Sequence, residues 1–145
     1  MDDNITDTNI ERINEIINSI MNSDDENMES LVLSMFDRAS KSYYLYNFVL
    51  LEISYISYDQ FKININKYPI IYQYPTYILL IVLLCIWFDR VELMQYVISI
   101  LLRKYDPSYT YIYNNIDFLL KIAKYKESQQ SIKFLNKWNM VNNYI

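Results

Sequence analysis

The chain has 145 residues, 52% hydrophobic and 17% aromatic, with a formal charge of −4 and neither histidine nor glycine. Without histidine there is no ordinary proton shuttle at neutral pH and no imidazole metal ligand. Without glycine there is no phosphate-cradling loop and no dinucleotide fingerprint. The length suits one helical domain, 1–145, whose core would bury roughly 70% of the unfolded surface, and residues 1–8 read as a flexible acidic head.

The charge is uneven. The first 30 residues set Asp2, Asp3, Asp7, Glu11, Glu15, Asp24, Asp25, Glu26 and Glu29 against Arg12 alone. Phosphate binding needs a basic footprint, so nucleic acid is not the expected partner. Isoleucine, asparagine and the 16 tyrosines dominate the chain. Their codons are AT-rich, so genome composition accounts for part of the tyrosine excess. Cys85 is the sole cysteine, which excludes an internal disulfide and fits a reducing compartment. The start MDDNITDTN is the opposite of a secretory signal. The apolar run Ile78–Phe88 is far shorter than the roughly 20 residues that span a bilayer, so no transmembrane anchor is expected.

Taken in chain order, Ile10, Ile13, Ile16, Ile17, Ile20 and Met21 form one stripe at the helical period, with Thr8 or Asn9 as the expected cap. Ser23-Asp24-Asp25-Glu26 reads as a capping box that opens a second helix carrying Met28, Leu31, Val32, Met35, Phe36 and Ala39. The segment from Tyr43 to Ile56 lacks strict alternation and is expected to be helical. Ser57-Tyr58-Asp59-Gln60 offers another capping box, for a short helix over Tyr58–Asn66. Pro69 and Pro75 bracket an extended connection. Thr76 is the expected cap of a central helix, Tyr77–Phe88, apolar on every side and therefore buried on every side. Asp89 is a bend or cap before a helix over Val91–Lys104, which Asp106-Pro107 ends. Two shorter helices follow, about Tyr113–Tyr125 and Ser128–Met140. The expected fold is all-α, a compact bundle of seven or eight helices around a central hydrophobic helix. Lacking glycine, its helices need another left-handed cap, and nearby Asn and Ser residues are the expected substitutes.

No group of residues assembles catalytic chemistry. Asp24, Asp25, Glu26 and Glu29 lack the alternating oxygens and the glycine of a calcium loop and suit a helix start. Asp89 and Glu92, with Arg90 between them, read as a solvated elbow between helices rather than an acid–base pair. Cys85 and Ser99 have no histidine with which to build a nucleophilic relay. The expectation is a chain that is not an enzyme and takes no cofactor and no metal. Two aromatic sets are binding candidates: Tyr43, Tyr44, Tyr46, Phe48, Tyr55 and Tyr58, then Tyr68, Tyr72, Tyr74 and Tyr77. Tyrosine is enriched at interface hot spots, and core packing is the plainer explanation.

The order of segments ENMESLVLSMFDRASKS, LYNFVLLEISYISYDQFKININ and YPTYILLIVLLCIWF resembles the apoptosis-inhibiting branch of poxviral Bcl-2-like proteins over about residues 26–104. That resemblance implies a Bcl-2-like fold with a surface groove that captures Bcl homology 3 helices of the pro-apoptotic proteins Bak, Bax and Bim. It would place Met35, Phe36, Ala39, Tyr43, Tyr46 and Leu50 on one wall and Tyr74, Tyr77 and Ile78 on the other. It also implies a protein of the host-cell cytoplasm, peripheral at mitochondria, and homodimers occur in that family. The chain departs from the pattern: YQYPTY stands where cellular relatives carry Asn-Trp-Gly-Arg, so the arginine that pairs with the ligand's aspartate is missing. No hydrophobic tail follows VNNYI, which points towards the related subgroup that blocks innate immune NF-kappaB signalling. A different class is also open. LLIVLLCIWFDRVELMQYVI and IDFLLKIAKYKESQQSIKFL each look like a degraded ankyrin helix pair, with Cys85 and Ala123 as the small residues. Their spacing exceeds the about 33 residues of an ankyrin unit, and the usual turn glycine is absent. A structural subunit of a virion or organelle assembly is the remaining class.

Overall fold

The computed structural model describes residues 2–40, 53–67, 74–104 and 106–143. These form eight α-helices and no strand: α1 Asp2–Met21, α2 Asp25–Ser40, α3 Tyr58–Asn66, α4 Pro75–Trp87, α5 Val91–Tyr96, α6 Asp106–Asn114, α7 Ile116–Lys126 and α8 Gln129–Asn143. Helix α5 runs on into a π-helical turn, Val97–Leu101, and a 3-10 turn, Leu102–Lys104. The all-α bundle around a hydrophobic helix is the architecture its periodicity predicts.

Helix α4 is the centre. Every residue from Thr76 to Trp87 is buried, and α1, α2, α5, α6 and α7 all pack against it. The isoleucine stripe of α1 turns Ile13, Ile17 and Ile20 into the same core, as α2 turns Met28, Val32 and Met35. Each such side chain contributes about 1.5–3 kcal/mol on burial. Met21, at the end of the stripe, is 41% exposed.

Several local expectations are corrected. Helix α1 is already helical at Asp2, so Thr8 and Asn9 are interior positions and not caps. The Ser23 hydroxyl donates backwards to the Ile20 carbonyl (3.0 Å), and α2 begins one residue later than a Ser23 cap requires. Thr76 does not cap α4 either: Pro75 takes the first helical position after Tyr74, where its missing N–H costs nothing. Thr76 instead shares a 3.4 Å contact with the Tyr111 hydroxyl. The helix expected through Ile56 is a turn at Ile53–Tyr55; residues 41–52 lie outside the described set, as do 68–73 of the connection between the prolines. Asp106-Pro107 does more than end a helix, because it opens α6, proline being well suited to a first turn. The Ser57 cap forms as predicted, accepting from the Gln60 N–H at 3.1 Å. The Gln60 side chain reaches forward to Asn64 (2.8 Å) rather than back.

Without glycine, two helices end on carboxylate residues in the left-handed region: Asp89 at φ 50 and Glu127 at φ 56. Both form the doubly bonded C-terminal turn normally built around glycine. After α4, Asp89 N bonds Ile86 O (3.0 Å) and Arg90 N bonds Cys85 O (2.7 Å). After α7, Glu127 N bonds Lys124 O (3.2 Å) and Ser128 N bonds Ala123 O (3.0 Å). Asn and Ser were the expected residues here. The two turns also lock to each other. Ser128 Oγ donates to Ile86 O (2.7 Å), while Asp89 Oδ1 accepts from Ser131 N and Oγ at 3.0 and 2.9 Å. Asp89 thus caps α8 from across the fold.

A left-handed residue with a Cβ carries a cost of roughly 1–2 kcal/mol. Glu127→Gly should therefore raise the stability of the protein by about 1 kcal/mol, read as a higher urea midpoint with an unchanged slope. Glu127→Val should lower it.

Candidate functional site

The residues proposed for a ligand groove fall in two groups. Met35 and Phe36 on α2, with Tyr77 and Ile78 on α4, are all buried within the one core cluster. Phe36 meets Trp87 edge-on, 5.8 Å between ring centroids, so α2 packs directly against α4. Tyr74 alone is half-buried, beside Tyr77 at 5.4 Å. Where a groove wall needs solvent-facing side chains, these four supply core. The reason is the all-apolar α4, which needs a cover on the α2 side as on every other. The Ala39 side chain, Tyr43, Tyr46 and Leu50 lie outside the described residues.

Most described aromatic residues act as packing. Tyr96 is buried, edge-on to Tyr58 (5.9 Å) and Phe61 (6.4 Å), and its hydroxyl accepts from Asn66 Nδ2 at 2.9 Å. Lys62 lies over the Tyr58 and Tyr96 rings at 5.0 and 5.7 Å. Trp138 meets Tyr109 and Tyr113 edge-on and donates its ring N–H to the Tyr109 hydroxyl (2.9 Å). Tyr55, on the turn before α3, is the most exposed of the described aromatic residues at 72%.

Two cations hold turns by their backbone carbonyls, and periodicity gives no sign of either. Arg90 donates to Ile53 O (2.8 Å) and Ile56 O (2.6 Å), and its Nε pairs with Glu92 at 2.6 Å. Lys121 donates to Ile20 O (2.7 Å), Met21 O (3.2 Å) and Ser23 O (2.8 Å), closing the end of α1. At the elbow, Glu92 is thus held by Arg90 and Asp89 by Ser131.

The more informative arrangement is a repeated one. Helix α4, left-handed Asp89 and α5 form a hairpin; α7, left-handed Glu127 and α8 form another. Helix α4 packs on α7 and α5 on α8, so the hairpins stack in the same sense. Equivalent residues meet at the tips: Trp87 lies on Tyr125, centroids 6.3 Å apart and planes 25° apart, with Lys126 4.3 Å above the Trp87 ring. Cys85 and Ala123, the small residues of the two segments, give the carbonyls that close the two turns. Phe88 projects from the first tip, 42% exposed.

Among the described residues no cluster of His, Cys, Asp or Glu could hold a metal ion, and no helix is long and apolar enough to cross a membrane. No family model matches the chain, and neither the curated proteins nor the solved structures contain a match.

Cys85 is fully enclosed in α4, and burial pushes its thiol up, far from the thiolate range. Its reaction with a thiol reagent should therefore wait for global unfolding, with a rate that rises with denaturant as the unfolded population does. Met35→Asp should abolish cooperative unfolding or cost more than about 3 kcal/mol, since it would bury an unpaired charge where exposure is 0%. Retained native melting in that variant would place Met35 on an accessible wall.

Proposed function

We propose that this chain is a non-catalytic protein-interaction module built from stacked helical hairpins, akin in construction to a degenerate ankyrin-like repeat pair. The observation that carries this reading is the matched pair α4–α5 and α7–α8, with left-handed residues, small residues and stacked aromatics at equivalent places. Stacked hairpins give a rigid body with a row of aligned tips, and such bodies bind partners along one edge. Here the first tip carries exposed Phe88, next in sequence to Trp87, whose ring Lys126 covers. Phe88→Asp should leave the helical circular dichroism intact and remove capture of a partner by cross-linking. Equal capture by the variant and the parent would reject the tips as the binding edge.

A second reading has its own support in the enclosure of α4 by five other helices. On it, the chain is a Bcl-2-like protein of the host-cell cytoplasm that sequesters Bcl homology 3 helices of Bak, Bax or Bim, or binds an adaptor of innate immune signalling. The burial of Met35, Phe36, Tyr77 and Ile78 requires that α2 and α4 separate to admit a ligand, a cost that weakens binding. Calorimetric titration with Bak, Bax and Bim peptides distinguishes the two readings. Submicromolar binding would favour the death-motif sink, and none at tens of micromolar would remove it.

A further inference from the structure

Two exposed helix faces of this chain complement one another in charge and in apolar content. On α2, Glu26, Glu29 and Leu33 follow at i, i+3 and i+7 and share one outward side. Leu33 is 50% exposed there, while Met28, Val32 and Met35 on the opposite side are buried. On α8, Lys133, Lys137, Met140 and Val141 follow at i, i+4, i+7 and i+8. Met140 is 56% exposed and Val141 49%, while Ser131 and Leu135 face inward. Among the described residues Glu26, Glu29, Lys133 and Lys137 have no ion-pair partner. The neighbouring helices are of mixed sign, α1 carrying the exposed Arg12–Glu15 pair and α7 both Asp117 and Lys124, so the complementarity lies in the two faces themselves.

We propose that the α2 face of one molecule docks on the α8 face of a second copy of the same chain. Leu33 then covers Met140 and Val141, and the glutamates of one copy meet the lysines of the other. The two faces belong to different elements, so a copy joined through one of them still has the other to offer. Two copies close by making the contact twice, or further copies add head to tail, according to the rotation between them. A single helix-on-helix contact falls short of the about 1,600 Å² of a standard interface, so the association is reversible and needs high concentration. Opposite charge across it makes it sensitive to salt.

Sedimentation velocity over a concentration series reads the proposal directly. The weight-average mass is expected to rise above 17.6 kDa as concentration increases. Apparent affinity is expected to fall at least about tenfold between 0.1 M and 1 M salt, as the screening length drops from about 10 to about 3 Å. Lys133→Glu with Lys137→Glu should remove the rise, and so should Glu26→Lys with Glu29→Lys, each with unchanged helical circular dichroism. Leu33→Asp, which leaves the charges at the start of α2 in place, should remove it too. An equimolar mixture of the two charge-reversed proteins should restore it, because reversed faces again meet opposite charge. A parent protein that stays monomeric throughout, a rise that the variants retain, or a mixture that fails to associate would each overturn the proposal.

Discussion

A helix with no polar side cannot rest on a surface, and α4 is such a helix. From Thr76 to Trp87 it offers only burial, so the other elements are fixed by the need to surround it. Helices α1, α2, α5, α6 and α7 each bring an apolar stripe to it, and their polar faces remain outward. Enclosure has a second consequence. The terminal carbonyls of a buried helix cannot rely on water, and those of α4 are met by the backbone turn at Asp89 and by the Ser128 hydroxyl.

Absence of glycine shapes how the helices are joined. Where a chain would ordinarily relax into a left-handed glycine, this one holds Asp89 and Glu127 in that conformation and recovers part of the cost through contacts. The Asp89 backbone closes its own turn while its carboxylate caps the start of α8. Arg90 and Lys121 act in a similar way on loops that lack a glycine, each spreading its donors over several carbonyls. Hydrogen bonds from charged donors are among the stronger ones, about 1.5–3 kcal/mol each. A few ionic side chains thus do by contact what backbone freedom does elsewhere.

The helices were legible wherever apolar residues recur at the helical period, as in α1, α2, α4 and α7. The Ser57 cap and α3 were legible from four residues. What periodicity could not supply was chain direction at the joints. Ser23 turned back to α1 because Ile20 offered an open carbonyl, and α6 was missed because Asp-Pro suits a beginning as well as an end. The groove residues met a different limit: Met35, Phe36, Tyr77 and Ile78 are buried, and they carry the same pattern whether a helix faces a ligand or a neighbour. Sequence spacing identifies the apolar face and is silent on what covers it. The paired hairpins were half visible, through Cys85 and Ala123. The decisive correspondence of Asp89 with Glu127 lay in backbone angles, which neither carboxylate's chemistry announces.

The Lys121 clamp also bears on how the molecule is made. Its ammonium, on the seventh helix, fastens the end of the first, so two distant parts of the chain complete one joint. During synthesis α1, α2 and α4 leave the ribosome well before α7 exists to seat them. For that interval the most apolar helix of the protein has only part of its cover, and the N-terminal hairpin has no lock. A nascent chain paused before Ile116 should be a stickier object than the finished protein, in which Lys121 has found its three carbonyls.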